Sequence, residues 1–224
     1  MQDSAMWIAL LVFAAVVSLL VLSSRGKSSP TREALQELAR QTHGTFKRKA
    51  VGFAQVVEIQ SRGWPLTFEV ANSLDGAGDS IASYQHLRSQ GRYRMAQRFE
   101  LQLQRKAAKG PSWTLHSPGG TIIELGIDEI DHSFTVRTTD VGIATALLND
   151  PSVSPHLTSI IRSTSAMYVG PLRNGVLRSA NGDKGAIIVY EDLAEVAVDH
   201  LKAIQDTMIS LLDALAQRQV ALHP

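Results

Sequence analysis

The sequence predicts an α+β fold, in which an N-terminal transmembrane helix precedes an antiparallel sheet with helices on one side and a long C-terminal helix. Three observations support this prediction. An uncharged apolar run lies near the start of the chain. Short segments of alternating polar and apolar residues fill its middle, as in half-buried strands. Apolar residues at spacings of three and four close the chain, as in an amphipathic helix.

The apolar run extends from Ala5 to Leu22 and contains no charged residue, with Ser18 as its only polar side chain. As a helix it would span roughly 27 Å, close to the ~30 Å hydrocarbon layer of a bilayer. We therefore predict a transmembrane anchor over residues 1–24 and a polar linker over residues 25–32. Residues 33–224 are then one soluble α+β domain, which could divide near residue 118.

The flanks of this run predict its direction. Trp7 lies near one end, where an amphipathic ring favours the membrane interface. The basic residues Arg25, Lys27 and Arg32 follow the run, and none precedes it. Because positive flanks stay cytoplasmic, we expect the N-terminus outside and the large domain in the cytoplasm, at the inner membrane of a bacterium. A cleaved signal peptide would show a positive segment before the run, which is missing here.

Charge is uneven although the chain is nearly neutral overall. Residues 86–109 carry seven basic side chains against Glu100, whereas residues 110–224 carry seven basic and thirteen acidic ones. The seven could form a basic surface facing anionic lipid, or could be ordinary solvated strand positions. They are Arg88, Arg92, Arg94, Arg98, Arg105, Lys106 and Lys109. Since no nucleic-acid-binding motif accompanies them, we do not expect a nucleic-acid partner.

The clearest strand is Gln97–Arg105, where Phe99, Leu101 and Leu103 alternate with polar residues. This alternation requires a sheet with one wet face, which is typical of antiparallel sheets. A hairpin of Gln55–Gln60 and Trp64–Ala71 is predicted around the turn at residues 61–63.

Further elements follow along the chain. We predict a loop over Leu74–Gln90, which is rich in Gly, Ser and Asp and could include a short helix. The other predicted strands are 112–116, 121–126, 133–137, 166–179 and 185–190. The predicted helices are 31–42, 140–149, 155–163 and 191–219. The last has an apolar seam that could cover the sheet or form a dimer stripe.

The segment Gly126–Val136 resembles a Gly-x-x-x-Phe-Asp-x-x-Phe-x-Val pattern in uncharacterised, single-pass, membrane-anchored bacterial proteins of unknown function. Gly126, Asp131, Phe134 and Val136 match, while Ile130 stands where Phe is usual. The resemblance implies the same layout of anchor, helix and sheet, and it implies no reaction. From the residues themselves, Gly126 permits a turn and Asp131 can accept backbone N–H groups there.

No catalytic, cofactor or metal site is predicted. The chain has no cysteine, which excludes disulfides and thiolate chemistry. The acidic group at residues 128–132 lacks calcium-loop spacing. We therefore expect a membrane-tethered, non-catalytic domain that binds a partner protein, a second copy or the anionic lipid surface, with no small-molecule substrate. The alternatives are a structural subunit of a larger membrane complex and a hydrolase without recognisable motifs.

Overall fold

The computed structural model of the chain describes residues 30–48, 54–76, 81–106, 120–173, 180–192 and 196–224. Its helices are α1 (Pro30–Gln41), α2 (Asp128–Ser133), α3 (Val141–Leu148), α4 (Ser154–Ile160) and α5 (Val198–Gln217). Its strands are β1 (Thr45–Arg48), β2 (Gln55–Ser61), β3 (Trp64–Gly76), β4 (Ile81–Met95), β5 (Leu101–Arg105), β6 (Thr121–Ile123), β7 (Phe134–Thr138), β8 (Thr164–Arg173), β9 (Ala180–Asp192) and β10 (Ala221–Leu222).

The ten described strands form one antiparallel sheet. Its order is β1-β2-β3-β4-β9-β8-β5-β7-β6, and β10 pairs with the end of β4. The first four strands follow one another as a meander. The β8–β9 hairpin then inserts between β4 and β5, so it joins the N-terminal meander to the group formed by β5, β6 and β7.

One face of the sheet, here called the inner face, carries the hydrophobic core. Paired strands bring side chains together in rows, because residues opposite each other point to the same side. Helices α1 and α5 pack on this face, and α4 packs against α5. Five residues of the seam predicted for the C-terminal helix are buried there, Leu201, Ile204, Met208, Leu211 and Leu215. The sixth, Ala197, precedes the helix and is exposed. One inner row is Ile59, Leu66, Gly91, Ile187, Val169 and Leu101.

The fold class predicted from the sequence is wrong, because it began with a transmembrane helix. The structure is a large antiparallel sheet with helices, and none of the helices it describes is long and apolar enough to cross a membrane. The same finding contradicts the predicted single-pass protein of the inner membrane. The proposed anchor, residues 1–24, lies outside the described residues, as do Trp7, Arg25 and Lys27, whereas Arg32 lies in the first turn of α1.

The predicted loop over Leu74–Gln90 is also wrong. Most of that segment belongs to strands β3 and β4, which pair continuously from Leu66 opposite Gly91 to Gly76 opposite Ile81. The hydrophobic alternation is weak in β4 because its inner positions include Ser89 and Gly91. A side chain at Gly91 would meet Leu212 and Met208 of α5, so the helix lies close to the strand there.

Other predicted elements differ mainly in their bounds. Glu191, predicted as the start of the last helix, belongs to β9, and the helix begins at Val198. Helix α2 occupies a segment predicted as a turn. The predicted strand at residues 112–116 lies outside the described residues. The predicted cap of α3 is present, since the Asp140 carboxylate accepts the Ile143 N–H at 2.9 Å.

Trp64 connects the β2–β3 hairpin to α5 and to the C-terminal end of the chain. This side chain is fully buried, and its indole N–H donates to Asp213 of α5 at 2.8 Å. Arg62, at the hairpin turn, contacts the other Asp213 oxygen at 3.3 Å. The Trp64 ring also stacks on His223 with 3.9 Å between ring centroids. Three distant parts of the chain therefore meet at one indole.

Candidate binding groove

The opposite, outer face of the sheet carries polar side chains across its centre. The register places Glu69, Arg88 and Tyr190 in one row of β3, β4 and β9. The next row consists of Thr67, Gln90 and Ile188. Because all six residues project from the side opposite the core helices, they form a surface that is separate from the hydrophobic core.

A groove of about 770 Å³ lies on this face. Its lining runs from His43 and Thr45 at β1, across β2, β3 and β4, to Leu172 of β8. Since β1 and β8 are separated by four strands in the sheet order, the groove crosses the strands rather than following one of them. Its size is within the range of ligand sites in proteins.

Some charged side chains of the groove are paired within the protein and others are not. The Glu58 carboxylate accepts a 2.7 Å hydrogen bond from the ammonium of Lys47, and both side chains are half exposed. Arg88 hydrogen-bonds the Tyr190 hydroxyl; burial raises the pKa of Tyr190, and this neighbouring guanidinium partly opposes that rise. Arg92 is exposed and has no ion-pair partner within the described part of the chain.

Two donor atoms in the groove are buried without a partner. They are the side-chain amide nitrogen of Gln90, a residue that is 6% exposed, and the Nε of Arg88. A buried polar group that lacks a hydrogen bond costs about 1–3 kcal/mol, so native proteins rarely keep one. Both atoms have almost no solvent-accessible surface, so they lie in the groove wall just beneath its surface.

The seven basic residues that were predicted as a possible basic surface do not all lie together in the structure. Arg88, Arg92 and Arg94 share the outer face of β4, where Arg94 also contacts Asp183 at 3.4 Å. Arg98 lies beyond the strand, and its guanidinium is 3.4 Å from the buried carboxylate of Glu100. These residues therefore do not extend the β4 row into a broad basic surface.

The remaining three basic residues lie elsewhere. Arg105 donates to the backbone oxygens of Thr164, Ile161 and Arg162, and so satisfies the end of α4. Lys106 donates to the Asp131 backbone oxygen at 2.8 Å. Lys109 lies outside the described residues. Gln90 was missed from the sequence because its segment was predicted as a loop, although the spacing of two between Arg88, Gln90, Arg92 and Arg94 is typical of one strand face. Glu69 lay within the predicted strand Trp64–Ala71 but was not recognised as a site residue.

Asp131 lies in α2, and its side chain contacts the turn that precedes this helix. Its carboxylate accepts the backbone N–H groups of Leu125 at 2.8 Å, Gly126 at 2.7 Å and Ile127 at 3.1 Å. Gly126 has φ +73°, a left-handed conformation that glycine adopts without steric cost. Three converging N–H donors form a nest that the carboxylate fills, so Asp131 is engaged within the protein.

In the part of the chain that the structure describes, Ser163, Glu191 and His200 form a cluster of the residue types found in hydrolase triads. The Ser163 hydroxyl donates to Glu191 Oε1 at 2.7 Å, and His200 Nε2 lies 2.7 Å from Glu191 Oε2 and 3.3 Å from Ser163 Oγ. In a hydrolase triad the carboxylate and the serine contact opposite nitrogens of the imidazole. Here both contact the same nitrogen, so the cluster serves to satisfy a buried carboxylate, which is only 2% exposed.

This cluster predicts a pH dependence of stability. The hydrogen bond to Glu191 raises the pKa of His200, partly opposed by burial. A raised folded-state pKa gives stabilisation that is complete below the unfolded value, about 6.5, and is lost as pH rises through the folded value. We expect the wild-type Tm to fall more between about pH 6 and about pH 9 than that of His200→Gln, by thermal denaturation.

Glu191→Gln serves as the partner test, because it removes the carboxylate that raises the pKa of His200. It should flatten the same part of the Tm curve. A His200→Gln curve parallel to that of the wild type would contradict this account of the cluster.

Within the described residues, no three His, Asp or Glu side chains come together in a group that could hold a metal ion. The fold and the groove together define a class of α+β domain, with one antiparallel sheet, core helices over one face and a polar groove across the other.

Among solved structures, the chain is similar to the crystal structure of the mycobacterial trehalose monomycolate transport factor A, TtfA. The TM-score is 0.50 with 13% sequence identity, over 86% of this chain and 97% of that chain. At this identity the likeness shows the fold alone. No protein-family model and no curated protein matches the chain, so the resemblance at Gly126–Val136 stays a prediction.

Proposed function

We propose that this chain is a non-catalytic binding domain, which holds a partner protein in the groove on the outer face of the sheet. The observation that carries the proposal is the Gln90 amide nitrogen, which is buried in the groove wall without a hydrogen-bond partner. Gln90 lies in the groove between Arg88 and Arg92, and Arg92 is exposed and can donate hydrogen bonds to a bound acceptor.

The shape of the groove favours a polypeptide as the occupant. A polar trough that crosses strands from β1 to β8 offers contacts over a length that suits an extended segment rather than a compact substrate. A bilayer surface is a poorer match, because a flat surface would not reach Gln90 at 6% exposure. The Ser163–His200–Glu191 geometry gives no support for hydrolysis.

The proposal predicts opposite effects of Gln90→Met on stability and binding. Removing an unpartnered buried amide should leave the free energy of unfolding unchanged or raise it by up to about 1 kcal/mol. The same change should remove partner binding, which is the usual trade between stability and function at a binding site. Gln60→Met, at an exposed position on the same face, is the matched control for stability in urea denaturation.

Binding is measured by photo-crosslinking in the native cell, with benzoylphenylalanine placed at Thr67 in the groove or at Lys202 on the exposed side of α5. We expect a discrete protein adduct from position 67 that disappears when Gln90→Met is added. Position 202 should not give that adduct. The proposal is overturned if position 67 gives no adduct, if both positions give the same one, or if Gln90→Met leaves it intact.

A further inference from the structure

We infer that the segment held in the groove is acidic, and that its carboxylates bind along β4 at Arg88, Gln90 and Arg92. This inference rests on the proposed function and adds the chemistry of the partner. Donors without partners lie along this row, the nearby carboxylates Glu58 and Glu69 are engaged, and Arg92 is exposed.

The three residues occupy alternate positions on one strand and therefore share the outer face. Successive members are about 6.8 Å apart along the strand, since a strand rises about 3.4 Å per residue. Because the groove crosses β4, a segment lying in it crosses this row, and the three side chains lie side by side across the width of the groove.

The buried unpartnered atoms of this row are donors, and its exposed charge is positive. Gln90 Nε2 and Arg88 Nε are buried and unpartnered, and the exposed Arg92 has no ion-pair partner in the described residues. The acidic residues of the groove are already engaged, Glu58 by Lys47 at 2.7 Å and Glu69 within the protein. The groove therefore presents donors and positive charge to whatever enters it.

A carboxylate is the side-chain group that best complements this surface in charge and hydrogen bonding. It accepts hydrogen bonds at two oxygens, carries the opposite charge, and bonds guanidinium groups more strongly than a neutral acceptor does. At the β8 end, Leu172 lines the groove and packs against the small apolar cluster of Tyr168, Ala186 and Ile188. An acidic segment that ends in an apolar residue fits both parts.

The test uses the full chain and a short fluorescein-labelled peptide of alternating Glu and Ser, followed by fluorescence anisotropy. Peptides in which Lys or Gln replaces Glu are the comparisons. We expect only the Glu peptide to bind, with affinity falling as salt is raised. Arg92→Glu should weaken it by at least about tenfold, equivalent to about 1.4 kcal/mol.

Lys202→Glu makes the same charge change on the exposed side of α5 and should leave affinity within about twofold. Both positions are exposed, so circular dichroism should report folded protein for both variants. Equal binding of the Lys or Gln peptide, no binding of the Glu peptide, or no effect of Arg92→Glu overturns the inference. Phosphatidylglycerol vesicles that bind in an Arg92-dependent way while the Glu peptide does not would also overturn it, in favour of lipid.

The crosslink from position 67 separates this inference from the proposed function. If the adduct forms in the wild type and is lost in Arg92→Glu, both are supported. If it persists in Arg92→Glu, the acidic chemistry is wrong while the groove remains the binding site. If no adduct forms in the wild type, the proposed function itself fails.

Discussion

Replacing Trp64 with alanine is expected to lower the free energy of unfolding by about 3–5 kcal/mol, the usual cost of truncating a large buried aromatic residue. The indole is completely buried, so its loss opens a cavity between the hairpin and α5. It also removes the N–H donor to Asp213 and the stack on His223. Urea denaturation followed by far-UV circular dichroism measures the effect.

Trp64→Phe separates the two contributions, since it keeps most of the ring and removes the N–H group. It should cost about 1–2 kcal/mol, because the Asp213 oxygen then loses a donor in a half-buried site. Ile122→Ala, at a 56% exposed position on β6, is the control and should change stability by less than about 0.5 kcal/mol. A Trp64→Ala loss as small as that control would refute the role assigned to the indole.

Replacing Asp131 with alanine is expected to cost about 2–3 kcal/mol, the second largest effect. Three backbone N–H groups, of Leu125, Gly126 and Ile127, would lose their acceptor at once. Hydrogen bonds to charged groups contribute about 1.5–3 kcal/mol each, but the freed donors of an exposed turn recover part of this from water. The unfolding free energy in urea is the measurement.

Asp128→Ala is the matched control for this prediction, because it removes an exposed carboxylate three residues earlier in the same helix. Its cost should stay below about 0.5 kcal/mol, the value of a first-turn acid at the helix dipole. Asp131→Asn should fall between the two, since it keeps one acceptor oxygen but loses the charge. Equal losses for Asp128→Ala and Asp131→Ala would show that the nest is not what Asp131 stabilises.

The basic row of β4 shows why the groove could be predicted only in part. Arg88, Arg92 and Arg94 were recognised as charged surface candidates, and the structure places all three on one strand face. Gln90 was missed, although it lies between them. Its importance depends on burial and on the absence of a partner atom, and both are set by neighbouring strands rather than by its own segment.

Helix α5 shows the opposite case. Its apolar residues recur at spacings of three and four, and this local period identified both the helix and its buried stripe. The neighbouring strand β4 could not be identified in the same way, because it lies beneath α5 and carries Ser89 and Gly91 at its inner positions. Because the helix packs closely on β4, small residues occupy inner positions of the strand, and the polar–apolar alternation that normally identifies a strand is missing.

By itself, the sequence determined the local elements that have a strong period or cap, such as the β2–β3 hairpin, helix α3 and the face of α5. Local patterns suffice there because the hydrophobic spacing and the first hydrogen bonds of each element lie within a few residues. Only the tertiary structure decided the strand order, the insertion of β8–β9 between β4 and β5, and the assembly of the groove. Those features depend on contacts between residues far apart in the chain, whose pairing no local pattern encodes.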